Sequence, residues 1–441
     1  MTAGSTRLIL GNAVVVTVDE ARTVHQPGFV AVEEGRLVAI GAGEPPAALR
    51  AGAEVIDVGG DILMPGMVNT HCHMAMSVFR GLGDDVADRL ERYIFPLEKR
   101  FVGPEMVYLG SLHAALELLE GGVTTVADMY YFETEVARAA DVAGLRGLMG
   151  QTVVDFAAPD AATPEEGLRR FQDLADRLAG HPRLRASIAP HAPYTTGRDL
   201  LDEIARRAEK DGVWVQIHLA EVEREIAWCR ERYGMTPVRF MAETGLLNPR
   251  MIAAHAILVD DADLDLLREG GAAVSHNAGS NAKAGKGIAP VLGMLARGIR
   301  VGLGSDGAMS GNTLDLFAQL PQVAKLQKLA ARDRTVMPAT EVVALATIDG
   351  ARALGLEREI GSLETGKKAD LIRISRRAAR MSPLHDVHST IVYAALASDV
   401  RDVMIDGAWV LRDGIPTRFD RAAVIAEVEA LAARMRASLG A

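Results

Sequence analysis

Eight short apolar runs separated by amphipathic stretches constrain this chain more than any other feature. They read GMVNTHCH (66–73), TTVADM (124–129), GLRGLMGQTVV (144–154), LRASIAPHAP (184–193), VWVQIHLAE (213–221), MIAAHAI (251–257), AAVSHNAGS (272–280) and RVGLGSDG (300–307). Segments with helical periodicity, such as EMVYLGSLHAALELLEGG and EEGLRRFQDLADRLAG, lie between them. Apolar strands alternating with helices are the pattern of a parallel sheet covered on both faces. Eight such units predict an α/β fold, a (β/α)8 TIM-type barrel, with an open doubly wound sheet as the competing arrangement. No Walker loop opens any βα unit, which removes the P-loop version of the open sheet.

The two ends of the chain have another texture. RLILGNAVVVTV, GFVAVEEGRLVAIG and AEVIDVGG near the start, and ADLIRISR and DVRDVMIDGAWVLRDG near the end, read as short strands punctuated by glycine. The expected division is therefore a composite β-sandwich domain from residues 1–65 and 366–441, with a C-terminal helix, and a catalytic barrel over 66–365. The 441 residues, 49% of them apolar, supply core for both. Lys and Arg total 48 against 58 Asp and Glu, a net charge of −10 that argues against nucleic acid and anionic membrane as partners. A small-molecule substrate and a homo-oligomer, dimer or tetramer, are expected instead. Cys72 and Cys229 can make neither a disulfide framework nor a four-cysteine metal site. No run approaches the roughly 18 apolar residues of a membrane span. Leu8–Val18 is interrupted by Asn12 and followed by Asp19 and Glu20, so it reads as a strand of a cytoplasmic protein.

Polar residues stand where the barrel strands should end, and in barrels that rim is where catalysis is placed. His71 and His73 are two apart on one strand, so both imidazoles point to one side. Taken alone they could be hydrogen-bonded core histidines. His218 in IHLAE and Asp306 in GLGSDG reach the same height on other strands, and the four make a His₃Asp set suited to one Zn²⁺ or Fe²⁺. Glu221, three residues beyond His218, can reach over the metal as a proton carrier. His255 can hold the attacking water or the substrate, or be a satisfied buried histidine.

Five segments taken in order resemble a known family. They are PGMVNTHCHMAMSVFRGLGDD, VQIHLAEVERE, SHNAGSNAKAGKGIAP, VGLGSDGAMSGNTLDLF and ATIDGARALGLEREIGSLETGKKADL. They are similar to the amidohydrolase superfamily, in the branch of adenosine-derivative and guanine deaminases and triazine hydrolases. Within it the likeness is greatest to 5′-methylthioadenosine/S-adenosylhomocysteine deaminases. The resemblance implies His71, His73, His218 and Asp306 as ligands of one divalent ion, with Glu221 and His255 as catalytic companions. Amide-cleaving relatives bridge two metals through a carboxylated lysine, and the strand ends GQTVVDF and IAPHAP contain no lysine. A mononuclear site and deamination are therefore implied.

The same resemblance assigns substrate contacts. Glu98 in YIFPLEKR matches a glutamate that holds ribose hydroxyls, although it could equally be one charge among Glu91, Arg92, Lys99 and Arg100 on a solvated helix. His191 in APHAPYT matches a histidine that contacts the purine. Gln151 stands near a place where homocysteine-accepting relatives often carry arginine, which points away from S-adenosylhomocysteine. The implied reaction is hydrolytic deamination of an aminated purine nucleoside. Asp306 takes the water's proton, His255 orients the attacking oxygen, and Glu221 protonates the neighbouring ring nitrogen as ammonia leaves. The alternative is an aminohydrolase or chlorohydrolase of another heterocycle, an s-triazine, pterin, guanine or 8-oxoguanine. A non-catalytic scaffold is the reading from a different class.

Overall fold

The computed structural model describes residues 7–86 and 90–439. It opens with β1 (Leu8–Val16), β2 (Val24–Glu33), β3 (Arg36–Ala42), β4 (Glu54–Asp57) and β5 (Ile62–Pro65). β1 to β3 form an antiparallel meander, while β4 and β5 run parallel to successive halves of β1. The barrel strands follow: β6 (Met67–Cys72), β7 (Val123–Tyr130), β8 (Arg146–Val153), β9 (Leu184–Pro190), β10 (Trp214–Leu219), β11 (Met251–His255), β12 (Ala273–His276) and β13 (Val301–Leu303). Each pairs parallel with the next, and their order in the sheet is their order in the chain. All eight apolar runs are strands of a (β/α)8 barrel, and the open doubly wound sheet is excluded.

Every residue of β7 and β8 is buried, as expected of strands covered on both faces. The helix Pro164–Leu178 shows how such cover is built. Thr163 accepts a hydrogen bond from the Glu166 N–H, Pro164 opens the first turn, and Leu168, Phe171 and Leu174 turn one apolar stripe inward. Burying each of those side chains stabilises the fold by ~1.5–3 kcal/mol.

β13 is the shortest barrel strand because GSDG leaves the ladder to close the barrel against β6. The Asp306 N–H donates to His71 O at 3.1 Å. Asn69 and Ser305 exchange bonds at 2.8 and 3.1 Å. The seam thus sets the first and last strands, and their polar ends, side by side.

Four late strands, β14 (Leu371–Ile374), β15 (Val400–Ile405), β16 (Ala408–Arg412) and β17 (Ile415–Pro416), join the chain-end sheet through the antiparallel β14–β5 pair. Both chain ends therefore share one nine-stranded hydrogen-bonded sheet. Its alternation divides two cores. Val14, Val16, Ile62, Met64, Ile372 and Ile374 face the main core, whereas Val15, Leu63, Leu371 and Met404 enclose a second one with Val30 and Leu37. Arg146, at the start of β8, locks sheet to barrel through Asp370 (2.9 Å) and Asp406 (3.1 Å). Both cysteines are buried and free. Among the described residues no helix is long and apolar enough to cross a membrane.

Candidate active site

His71 is the penultimate residue of β6, His73 follows the strand, and His218 lies within β10. One nitrogen from each of the three falls within 4.8 Å of the other two. The tautomers follow from the carbonyls behind them. His73 Nδ1–H donates to Met129 O at 2.6 Å, and His218 Nδ1–H to His191 O at 2.7 Å, since a carbonyl oxygen can only accept. Their Nε2 atoms, 3.2 Å apart, then confront each other lone pair to lone pair. His71 Nε2 is buried without a protein partner. Asp306 Oδ1 stands 3.4 Å from His73 Nε2 and 3.9 Å from His71 Nε2. Burial, reinforced by the neighbouring rings, holds His71 and His218 well below the usual histidine range. Converging lone pairs beside a carboxylate suit a single divalent cation.

Behind His73 lies a buried carboxyl pair. Asp128 accepts the Met74 N–H at 2.5 Å, and Glu133 accepts the Gly150 N–H at 3.0 Å. Burial pushes Asp128 up to about 7 and Glu133 well above its ordinary value.

The proton-handling candidates surround this centre. Ser280 Oγ donates to Asp306 Oδ2 at 2.5 Å, and the Gly307 N–H to Oδ1 at 2.6 Å. His255 ends β11 and donates from Nδ1 to Asn281 Oδ1 at 2.8 Å, which leaves Nε2 facing inward, 3.6 Å from Glu221 Oε1. The same Oε1 accepts from Lys286 Nζ at 2.5 Å. Burial works against the Glu221 charge, yet His255 and Lys286 hold its carboxyl well below the usual range. Glu225 anchors the loop by accepting the Ala220 and Glu221 N–H groups at 2.7 and 3.0 Å. Burial raises the Glu225 carboxyl to about 8. The rim backbone is strained where these residues sit: φ is 51° at Ala220, 77° at His255, 44° at Ala256 and 61° at Asp306. A non-glycine residue in the left-handed region costs roughly 1–3 kcal/mol, and such strain collects at functional sites.

A cavity of about 1280 Å³ opens over the cluster, and Glu98, His191, Glu221 and Lys286 line it. Glu98 is not an ordinary helix charge. It accepts from Tyr130 Oη at 2.8 Å, and burial raises its carboxyl above the normal value. His191 shares a 3.0 Å bond between Nδ1 and Thr195 Oγ1, and burial lowers it to about 4. Gln151 is not brought to this cavity. On β8 the side chains alternate, so Thr152 lines the cavity while Gln151 turns outward to Asp160 (2.9 Å) and Thr152 O (3.0 Å). Its identity therefore says nothing about a substrate carboxylate. Tyr130, Asn281 and Lys286 were not singled out in the sequence. Lys286 sits in a turn whose glycines at 285 and 287 have φ of 63° and 119°, and only the folded turn brings it back over Glu221.

Comparison with known proteins agrees with this geometry. The amidohydrolase family model matches residues 62–410. A 5-methylthioadenosine/S-adenosylhomocysteine deaminase of Syntrophobacter fumaroxidans is 42% identical over 414 residues, 93% of this chain and 94% of that protein. A 5′-deoxyadenosine deaminase of Methanosarcina mazei is 38% identical over 426 residues, 96% of each chain. Among solved structures, an adenosine deaminase from Xanthomonas campestris with bound zinc superposes with a TM-score of 0.94. It is 33% identical, with 98% of this chain and 99% of that one covered.

Proposed function

The chain belongs to the amidohydrolase family, and from that premise and the site geometry we propose that it is a hydrolytic deaminase of adenosine derivatives, dependent on one divalent ion. Relatives named for 5-methylthioadenosine, S-adenosylhomocysteine and 5′-deoxyadenosine support the substrate class. The observation that carries the reading is Glu98. It faces the same cavity as Glu221 and the histidine cluster, so a ribose and an aminated ring can be held at once. His71, His73, His218 and Asp306 would hold the ion, with zinc as first choice and Fe²⁺ as second.

Such an ion supplies an activated water, lowering its pKa from about 16 toward about 7. The chain's own groups do the rest. His255 Nε2, turned inward by the Asn281 bond, orients the attacking oxygen. Asp306 accepts the proton that this oxygen sheds. Glu221, ionised at rest, first takes up the water's other proton and then delivers it to the ring nitrogen beside the amino-bearing carbon. A carbon–oxygen bond replaces the carbon–nitrogen bond as Asp306 returns its proton to the departing amino group, and ammonia leaves. His191, held neutral at pH 7, presents a nitrogen to the purine.

The cavity lining mixes apolar and charged side chains. Phe95 and Phe156 are 55% and 51% exposed, and both line it. Arg224, also in the lining, donates to Tyr194 Oη at 2.8 Å. The two phenyl rings offer apolar surface to a 5′-methylthio or 5′-deoxy substituent. In this reading residues 66–365 carry the chemistry, residues 1–65 with 366–441 form the supporting domain, and the protein is a cytoplasmic homo-oligomer, dimer or tetramer, without nucleic-acid partners.

The test is ammonia release from adenosine, 5′-methylthioadenosine, 5′-deoxyadenosine, S-adenosylhomocysteine, guanine, 8-oxoguanine, a pterin and melamine. Adenosine derivatives should lead, with S-adenosylhomocysteine behind 5′-methylthioadenosine. Glu98→Gln should lower kcat/KM for the best nucleoside by roughly tenfold or more, because a site built for a hydroxyl is left unpaired. A free base as best substrate, with no adenosine derivative deaminated, would overturn the proposal.

A further inference from the structure

Asp306, His255 and Glu221 come from the ends of three different strands, yet one segment after β12 grips all three. Ser280 holds Asp306 Oδ2 (2.5 Å), Asn281 holds His255 Nδ1 (2.8 Å) and Lys286 holds Glu221 Oε1 (2.5 Å). The grips are coupled, because the Lys286 N–H donates to Asn281 O at 2.9 Å. The Lys286 and Glu221 side chains are only 16% and 17% exposed, so the pair lies largely out of water. A charge-assisted bond there is far stronger than a surface ion pair.

The two contacts of Glu221 Oε1 define a job for Lys286. Without them, a glutamate on the loop beyond β10 would rotate freely about its side-chain bonds. With Oε1 held by Lys286 and 3.6 Å from His255 Nε2, Oε2 is the oxygen left to meet a bound ring. Resting on the deaminase reading above, we propose that Lys286 is a positioning residue that fixes the Glu221 carboxylate so that Oε2 exchanges the proton with substrate. Lysine serves because a single long-stemmed ammonium reaches one carboxylate oxygen from the far side of the cavity. Misalignment of the proton carrier should then cost turnover and not binding.

Lys286→Met and Lys286→Arg separate this role from its rivals. In Lys286→Met, kcat should fall roughly 10–100-fold, as for other partners that orient an active-site group, with KM and metal content held. Lys286→Arg should recover most of the loss. An unchanged kcat, or a raised KM with kcat unchanged, would overturn the proposal, the latter by making Lys286 a substrate contact. Crystal structures of wild type and Lys286→Met report the Glu221 rotamer without any turnover. The same Glu221 rotamer in both would overturn the inference whatever the substrate proves to be. Absence of deamination by the wild type would instead count against the functional reading.

Discussion

At the foot of the barrel, Arg146 is 2% exposed and gives its guanidinium to Asp370 at 2.9 and 3.2 Å and to Asp406 at 3.1 Å. At the rim, His71 is 1% exposed, yet its Nε2 has no protein partner, and the Nε2 atoms of His73 and His218 face each other. Burial is equal at the two ends, and satisfaction is opposite. Buried charge costs several kcal/mol unless paired, so the foot can serve stability only because its ion pairs are complete. The rim leaves converging lone pairs and a left-handed backbone at Ala220, His255, Ala256 and Asp306. What distinguishes a functional end from a structural one here is polar capacity that the protein itself does not use.

The largest effects should come from breaking the rim. Glu221→Gln keeps the shape of the side chain but removes its capacity to carry a proton. Loss of a positioned acid/base costs roughly 10²–10⁴-fold, so kcat should fall in that range while metal content holds. His71→Ala should abolish both metal binding and turnover, read by elemental analysis and ammonia release. Near-normal deamination by Glu221→Gln would mean that the proton travels by another route.

Breaking the foot should do the reverse. Arg146→Met leaves the buried Asp370 opposite an apolar side chain, while Asp406 keeps Lys368 at 3.0 Å, and loss of one partner of a buried ion pair costs about 3–5 kcal/mol. Chemical denaturation should show that loss, while kcat per folded molecule stays near wild type. A matching fall in kcat would show that the sheet–barrel lock reaches the site.

The two ends were not equally legible in the sequence. The rim histidines and Asp306 announced themselves, because a buried strand has no packing use for them and their period of two fixed a common face. Arg146 gave no such signal: an arginine opening a strand reads as a solvated end until Asp370 and Asp406, more than two hundred residues away, arrive beside it. The eight strands were legible from their apolar runs, with the ends trimmed where polar residues turn out of the ladder, as at GSDG. Glu98 was ambiguous on its helix, and in the fold it turns to Tyr130 and the cavity. Gln151 was not legible, because one position along β8 turns a side chain from cavity to helix layer. Lys286 depended on a glycine-shaped turn that periodicity cannot describe.

The smallest expected effect concerns His276, which fits neither end's pattern. It closes β12, is 1% exposed, and neither ring nitrogen has a protein partner. Burial lowers its pKa to about 4, against 6.5 for a free histidine. In the folded state it stays neutral until about pH 4, whereas in the unfolded chain it gains a proton near 6.5. Between those values the unfolded state binds more protons, so stability falls as pH drops through that window and is unaffected above it. His191 is lowered to about 4 by the same cause and adds a parallel contribution that remains in any His276 variant. His276→Leu should therefore make the acid limb shallower without flattening it. Urea midpoints at about pH 7.5, 6 and 5 give the comparison, since only the folded protein keeps this ring neutral across the interval. Identical pH dependence in wild type and variant would show that His276 is protonated alike in both states, and that burial at the rim end of β12 carries no proton linkage.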